Sequence, residues 1–131
     1  MFFIDLDGFK EVNDSYGHDA GDVLLKELAT RLRSGLRKGD IVGRFGGDEF
    51  VVLIAEFNDF GQLAAVAQQI INTIAQPLVE GEHECRVTAS IGIAISPQDG
   101  EDTKTLLQNA DSAMYRAKEQ GRNDFIFYTP I

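Results

Sequence analysis

The chain has 131 residues, of which 44% are hydrophobic and 25% charged, a composition typical of one globular domain with a single core. Its 12 basic and 21 acidic residues give a net charge of −9, which disfavours binding to a nucleic acid polymer because such binding needs a basic surface. Cys85 is the only cysteine, so no internal disulfide can form and a reducing, cytoplasmic setting is expected. No apolar run is long enough to predict a membrane span, although a longer protein carrying this domain could be membrane-anchored.

The predicted elements follow the order β-α-α-β-β-α-β-β-α-β along the chain. Hydrophobic periodicity and breaker residues place them at 2–6, 9–15, 19–36, 41–45, 50–55, 60–75, 77–79, 84–96, 103–120 and 124–128. Asp19 is expected to cap the second helix, and the alternation from Val87 to Ile95 predicts one long strand. This order predicts an α+β fold in which helices pack on a mainly antiparallel, ferredoxin-like sheet. That topology hosts many functions, so it decides none.

Acidic residues follow two strands that are distant in the sequence. Asp5 and Asp7 alternate with apolar residues and leave one face of the first strand. The Gly46-Gly47 pair predicts a tight hairpin turn, because glycine reaches positive φ freely, and Asp48-Glu49 follow at its exit. If the first strand pairs beside this hairpin, the carboxylates converge. Converging carboxylates repel unless a hard divalent cation such as Mg²⁺ lies between them.

Two short segments could bind phosphate. Gly8-Phe9-Lys10 opens a helix, where glycine lets a phosphate approach the backbone and free amides and Lys10 attract it. Lys118 and Arg122 lie four residues apart at the end of the last helix and can face the same way. Each segment also has an ordinary alternative role. A Gly–Lys pair at the start of a helix is commonly structural, and Lys118 and Arg122 could simply complement the dipole at a helix C-terminus.

The whole series resembles the GGDEF family, the diguanylate cyclases. The resemblance rests on blocks that occur in the family's order: Phe3-Ile4-Asp5-Leu6-Asp7-Gly8-Phe9-Lys10, Asn13-Asp14, Gly17-His18-Asp19-Ala20-Gly21-Asp22, Arg44-Phe45-Gly46-Gly47-Asp48-Glu49-Phe50, Ser90-Ile91-Gly92-Ile93-Ala94, Ala110-Asp111-Ser112-Ala113-Met114-Tyr115, Ala117-Lys118 and Gly121-Arg122-Asn123. It implies the palm fold of nucleotide cyclases and the condensation of two GTP molecules into cyclic di-GMP, with release of two pyrophosphates.

The resemblance also implies roles for individual residues. Asp5, the main-chain carbonyl of Leu6 and Asp48 would bind two Mg²⁺ (or Mn²⁺) ions, and Glu49 would assist metal binding or deprotonate the 3′-hydroxyl. Asn13 and Asp22 would recognise the guanine edge, since a carboxylate can accept from its N1 and N2 donors. The remaining substrate contacts would come from Gly8, Phe9, Lys10, Gly46, Gly47, Lys118 and Arg122.

Further expectations concern assembly and control. Because one site binds one GTP, turnover would need a homodimer. Arg37 and Asp40 fit the family's R-x-x-D inhibitory site for the product cyclic di-GMP, and their offset from the signature favours this role, although such a short motif is commonly a local ion pair. His18 is a weaker candidate for a general base. The family's N-terminal segment is missing before Met1 from this single domain, spanning residues 1–131, and sensory or phosphodiesterase domains are expected in the full-length chain.

Two alternative functions remain open at this point. The chain could be a non-catalytic GGDEF module that binds GTP or cyclic di-GMP and regulates an attached domain. Such modules usually carry a damaged signature, whereas Asp48 and Glu49 are intact here. A generic ferredoxin-like interaction domain is the other alternative, but it leaves the ordered acids and cations unexplained.

Overall fold

A computed structural model of the chain describes residues 1–80 and 83–130. Seven strands and four helices lie within these residues. They are β1 (Phe2–Asp7), α1 (Phe9–Tyr16), α2 (His18–Ser34), β2 (Ile41–Gly46), β3 (Glu49–Leu53), α3 (Phe60–Ile74), β4 (Leu78–Glu80), β5 (His83–Cys85), β6 (Thr88–Ile93), α4 (Thr103–Glu119) and β7 (Asp124–Phe127). The predicted order of elements agrees with the structure except that three strands, rather than two, lie between α3 and α4.

The main sheet has five strands in the order β2-β3-β1-β6-β7. Neighbouring strands are antiparallel except for β6 and β7, which are parallel. Helices α2 and α3 cover one face, and α4 packs on the other face against β6, β7 and β1. The fold is the α+β palm-like fold that the sequence predicted, with a mainly antiparallel sheet.

Strand β1 lies at the centre of the sheet, and its two faces contact different layers. Phe2, Ile4 and Leu6 are buried in the main core, which α2 and α3 complete. Phe3 instead packs towards α4, in a smaller cluster that includes Met114. Because side chains alternate along a strand, Asp5 and Asp7 lie on the α4 side with Phe3. A central strand that is buried except at Asp5 thus carries its acids towards the last helix.

Several predicted boundaries are wrong, and those of α2 and of the strand 84–96 change which residues cap or pair. Helix α2 begins at His18 after the cap residue Gly17, whose φ is 92°, and Asp19 lies inside its first turn; it ends at Ser34 rather than at 36. The predicted strand 84–96 is two strands, because β5 pairs with β4 in a separate hairpin and β6 joins the main sheet. The predicted turn between β4 and β5 includes residues 81 and 82, which lie outside the described residues.

Two expectations about the setting of the chain can be compared with the structure. Cys85 is 4% exposed and lies in the main core, as expected for a structural thiol. None of the helices in the described part of the chain combines the length and the hydropathy needed to cross a membrane.

Candidate active site

The hairpin between β2 and β3 carries the Gly46-Gly47-Asp48-Glu49 signature. The ladder is irregular between Arg44 and Gly46, and Gly46 pairs with Glu49. Arg44 Nε donates to the carbonyl of Gly47 at 3.0 Å and so fixes the turn from one side. The hairpin is confirmed, but the expected positive φ is not, since neither glycine adopts one. A side chain at Gly47 would meet nothing within 4 Å, so the glycine leaves space beside the acids.

The acids of β1 and of the hairpin meet at one end of the sheet, as predicted. Asp5 lies directly opposite Glu49 in the antiparallel register. Beyond this pair, the N–H of Leu6 donates to the carbonyl of Asp48 at 3.1 Å. The backbone of Leu6 is therefore adjacent to the signature turn.

The carboxylates at this end of the sheet are short of positive charge. Asp5 Oδ2 is 2.7 Å from the Lys118 ammonium, whereas Asp5 Oδ1 is buried and has no hydrogen-bond partner among residues 1–80 and 83–130. Burial raises the pKa of Asp5 above its ordinary value, and Asp48 adds to the rise while Lys118 opposes it. Burial also raises the pKa of Glu49, with further contributions from Asp5, Asp48 and Asp111. The site therefore holds its negative charge at an energetic cost.

This arrangement fits a divalent cation. The unpartnered Oδ1 of Asp5 is a hard oxygen donor in a cluster that one lysine does not neutralise. Within residues 1–80 and 83–130, no three His, Cys, Asp or Glu side chains form a complete metal cage. Mg²⁺ needs no such cage, because it commonly takes one or two carboxylates and completes its shell with water and substrate phosphates.

Two residues of α4 occupy places that the sequence did not indicate. Asp111 lies close enough to Glu49 to raise its pKa, yet it was not among the predicted site residues. Lys118, expected at the triphosphate, forms an ion pair with Asp5. The two are seven residues apart, which places them on one helix face, and this spacing is the signal that could have revealed Asp111.

The predicted phosphate-binding residues border the same end of the sheet. Gly8 has a φ of 83° and connects the end of β1 directly to α1, so a non-glycine residue would be strained there. Phe9 is buried, and Lys10 is exposed in the first turn of α1. Arg122 is exposed in the turn that joins α4 to β7 and has a φ of 66°.

The two predicted guanine-binding residues lie on adjacent helices. Asn13 of α1 packs so closely on Gly21 of α2 that a Cβ at Gly21 would lie 1.7 Å from Asn13 Oδ1. This oxygen is buried and has no hydrogen-bond partner in the part of the chain that the structure describes. Asp22 follows Gly21 and is exposed, whereas His18 is exposed at the start of α2. Gly21 therefore allows α1 and α2 to pack closely, a role that the sequence pattern did not indicate.

Arg37 and Asp40 form a local ion pair away from the acidic cluster. The Arg37 backbone N–H donates to Asp40 Oδ2 at 3.1 Å, and Arg37 Nε lies 3.8 Å from the same oxygen. Ala55 N–H donates to Asp40 Oδ1 at 3.2 Å, and the Arg37 guanidinium donates to the carbonyl of Glu56. The pair therefore also has a structural role, because it ties the loop before β2 to the loop after β3.

Comparisons with known proteins agree with this fold. The family model described as "Diguanylate cyclase, GGDEF domain" matches residues 1–124. The bifunctional diguanylate cyclase/cyclic di-GMP phosphodiesterase MucR of Pseudomonas aeruginosa is 50% identical over 128 residues, which cover 98% of this chain and 18% of MucR. The chain therefore spans less than a fifth of that relative.

Solved structures give the same result. An EAL/GGDEF domain protein from M. capsulatus is 48% identical with a TM-score of 0.92, over 98% of this chain and 83% of the other. The GGDEF domain of TpbB from Pseudomonas aeruginosa is 39% identical with a TM-score of 0.94, over 99% and 81%. The chain therefore has the α+β palm-like fold of GGDEF structures. The chain belongs to the GGDEF domain family.

Proposed function

We propose that the chain is an active diguanylate cyclase domain, which condenses two GTP molecules into cyclic di-GMP and two pyrophosphates. One observation carries the proposal: Asp5, Asp48 and Glu49 gather at one sheet end with too little positive charge, and an oxygen of Asp5 has no partner among the described residues. The intact signature supports an active enzyme rather than a regulatory module.

The acids would hold two Mg²⁺ or Mn²⁺ ions, which would lower the pKa of the attacking 3′-hydroxyl and neutralise charge on the phosphates. Asp5, the Leu6 carbonyl and Asp48 are the proposed ligands. Within Asp5, Oδ1 is the available ligand atom, because Oδ2 is paired with Lys118. Glu49 lies opposite Asp5 and its raised pKa suits a group that takes a proton from the hydroxyl.

Cations and glycines around the acids would hold the GTP. Lys10, Lys118 and Arg122 would bind the triphosphate, and Gly8, Phe9, Gly46 and Gly47 would let it lie against the backbone. Asn13 and Asp22 would recognise the guanine. The buried, unpartnered Oδ1 of Asn13 supports this role, because a buried acceptor without a donor favours a ligand that supplies one.

Dimerisation follows from the chemistry, since each domain would bind one GTP and the product contains two. Two chains facing each other would bring each 3′-oxygen in line with the α-phosphorus of the other nucleotide. Product feedback would act through Arg37, whose guanidinium can grip a phosphate or a guanine edge. Arg37 would then exchange its contacts with Asp40 and Glu56 for the ligand. The full-length protein would carry sensory or phosphodiesterase domains and work in the cytoplasm.

The test is synthesis of cyclic di-GMP by the chain fused to a dimerising coiled coil and incubated with GTP and Mg²⁺. We expect product from the wild type and none from Asp48→Asn. The matched control is Asp59→Asn, since Asp59 caps α3 by accepting from Gln62 N–H and asparagine caps equally well. A dimeric wild type that binds GTP without making product would refute the cyclase proposal and favour the regulatory module.

A further inference from the structure

Asp7, at the end of β1, is a buried acid with no role in the proposed chemistry. It is 6% exposed. Its carboxylate accepts from Thr88 Oγ1 at 2.8 Å and from Ser90 Oγ at 2.8 and 3.0 Å. Both hydroxyls project from one face of β6, the strand beside β1. The carboxylate is therefore fixed in position within the sheet.

A third donor reaches Asp7 from the other end of the chain. The backbone N–H of Asn123 donates to Asp7 Oδ2 at 3.3 Å. Asn123 belongs to the turn between α4 and β7, where Arg122 and Asn123 have φ angles of 66° and 52°. Consecutive non-glycine residues in the left-handed region are uncommon and persist only where their surroundings hold them. The hydrogen bond from Asn123 to Asp7 is one contact that holds this turn in place.

Arg122 is thus constrained on both sides. Its own N–H donates to the carbonyl of Ala117 in α4 at 3.0 Å, and the N–H of the next residue is bound by Asp7. The backbone φ of Arg122 decides where its side chain leaves the turn. Release of Asn123 would let the turn relax to ordinary φ values and would swing the guanidinium away.

We propose that Asp7 is a positioning residue that directs Arg122 at the triphosphate by holding the Arg122-Asn123 turn. The inference rests on the proposed function, because it takes GTP as the ligand of Arg122. It also separates the two acids of β1. Asp5 has an unpartnered oxygen that is available to a ligand, whereas Asp7 is saturated with donors and serves as an anchor.

The test is calorimetric binding of a GTP analogue whose α–β bridging oxygen is a methylene group, in Mg²⁺, to the dimerised chain. Asp7→Asn replaces one acceptor oxygen with an amide donor, so we expect the Kd for the analogue to rise about tenfold, as for loss of one charge-assisted contact. The Kd for guanosine, which lacks phosphates, should change less than about twofold. Asp59→Asn is the matched control and should change neither.

A double-mutant cycle separates positioning from a general structural effect. Arg122→Ala alone should weaken binding of the analogue, and adding Asp7→Asn should weaken it no further, because Asp7 acts through Arg122. Multiplying effects in the double variant, or equal weakening for guanosine, would overturn the inference. If Asp7→Asn does not fold by circular dichroism, Thr88→Val/Ser90→Ala replaces it in the same cycle. That variant loses both hydroxyl donors to Asp7, and an unchanged Kd for the analogue would equally overturn the inference.

Failure of the inference is distinguishable from failure of the proposed function. A chain that binds the analogue but makes no cyclic di-GMP refutes the cyclase, while the coupling between Asp7 and Arg122 still decides the inference. A wild-type chain that binds neither the analogue nor guanosine contradicts both.

Discussion

The acidic end of the sheet and the Arg37–Asp40 corner both pair aspartate with a cation, but only the corner is satisfied. Both oxygens of Asp40 accept a backbone N–H, and Arg37 adds its charge. At the sheet end, Lys118 contacts one oxygen of Asp5, and the other oxygen has no partner within the described segments of the chain. Burial and neighbouring acids raise the pKa of Asp5 and Glu49. An incomplete set of interactions marks a ligand site more reliably than the presence of opposite charges does.

The largest expected effect comes from neutralising one carboxylate at the acidic end of the sheet. Asp5→Asn removes a charge and a metal ligand, so turnover should fall at least about 100-fold, because a catalytic metal supplies several kcal/mol of charge stabilisation. The assay is cyclic di-GMP formation by the dimerised chain. Mg²⁺ should raise the Tm of the wild type but not that of the variant. Retained turnover, or an equal Mg²⁺-dependent shift, would contradict the metal-binding role.

The corner should tolerate a comparable change. Arg37→Ala leaves Asp40 with its two backbone donors, so the free energy of unfolding should fall by only about 0.5–1 kcal/mol. Turnover at low product concentration should stay within about twofold. Inhibition by added cyclic di-GMP should need at least about tenfold more product. If inhibition is unchanged, the corner is a structural ion pair alone.

The smallest expected effect is on stability, because in the absence of metal the clustered acids lower the free energy of unfolding. Because the pKa of Glu49 is raised, the folded chain keeps the proton to higher pH than the unfolded chain does. The free energy of unfolding should therefore fall as pH rises from the ordinary value of 4.5 to the raised pKa. In metal-free buffer at pH 7, Glu49→Gln should raise the Tm by about 1–3 °C. A lower Tm would mean that Glu49 stabilises the fold.

Much of the fold could be predicted because its elements repeat their hydrophobic period strongly. The predicted start of α2 was wrong because a glycine sets it. Gly17, with a φ of 92°, is the cap residue, so the helix begins at His18, one residue before the predicted range. The predicted strand 84–96 was wrong for another reason. Apolar alternation continues through Val87, although the segment before it pairs with β4 and the segment after it pairs with β1. Periodicity reports which face is buried, not which strand lies beside it.

Some features of the candidate site could likewise be predicted from the sequence, and others could not. Convergence of Asp5 with Asp48 and Glu49 could be predicted, because it needs only β1 to pair beside the hairpin. The ion pair between Lys118 and Asp5 could not, because it depends on how closely α4 approaches the sheet. Gly92 permits that approach: a Cβ there would lie 1.9 Å from the carbonyl of Ala110. Such contacts between distant segments leave no local pattern in the sequence.

The most direct test of the central claim uses a dimer with one intact acidic end. We propose that each chain supplies the acids for one of the two phosphodiester bonds. A tandem fusion of a wild-type chain and an Asp48→Asn chain should therefore form one bond, releasing one pyrophosphate and accumulating the linear dinucleotide. The fusion of two wild-type chains should make cyclic di-GMP. Cyclic product from the mixed fusion at a rate comparable with the wild-type fusion would contradict the account.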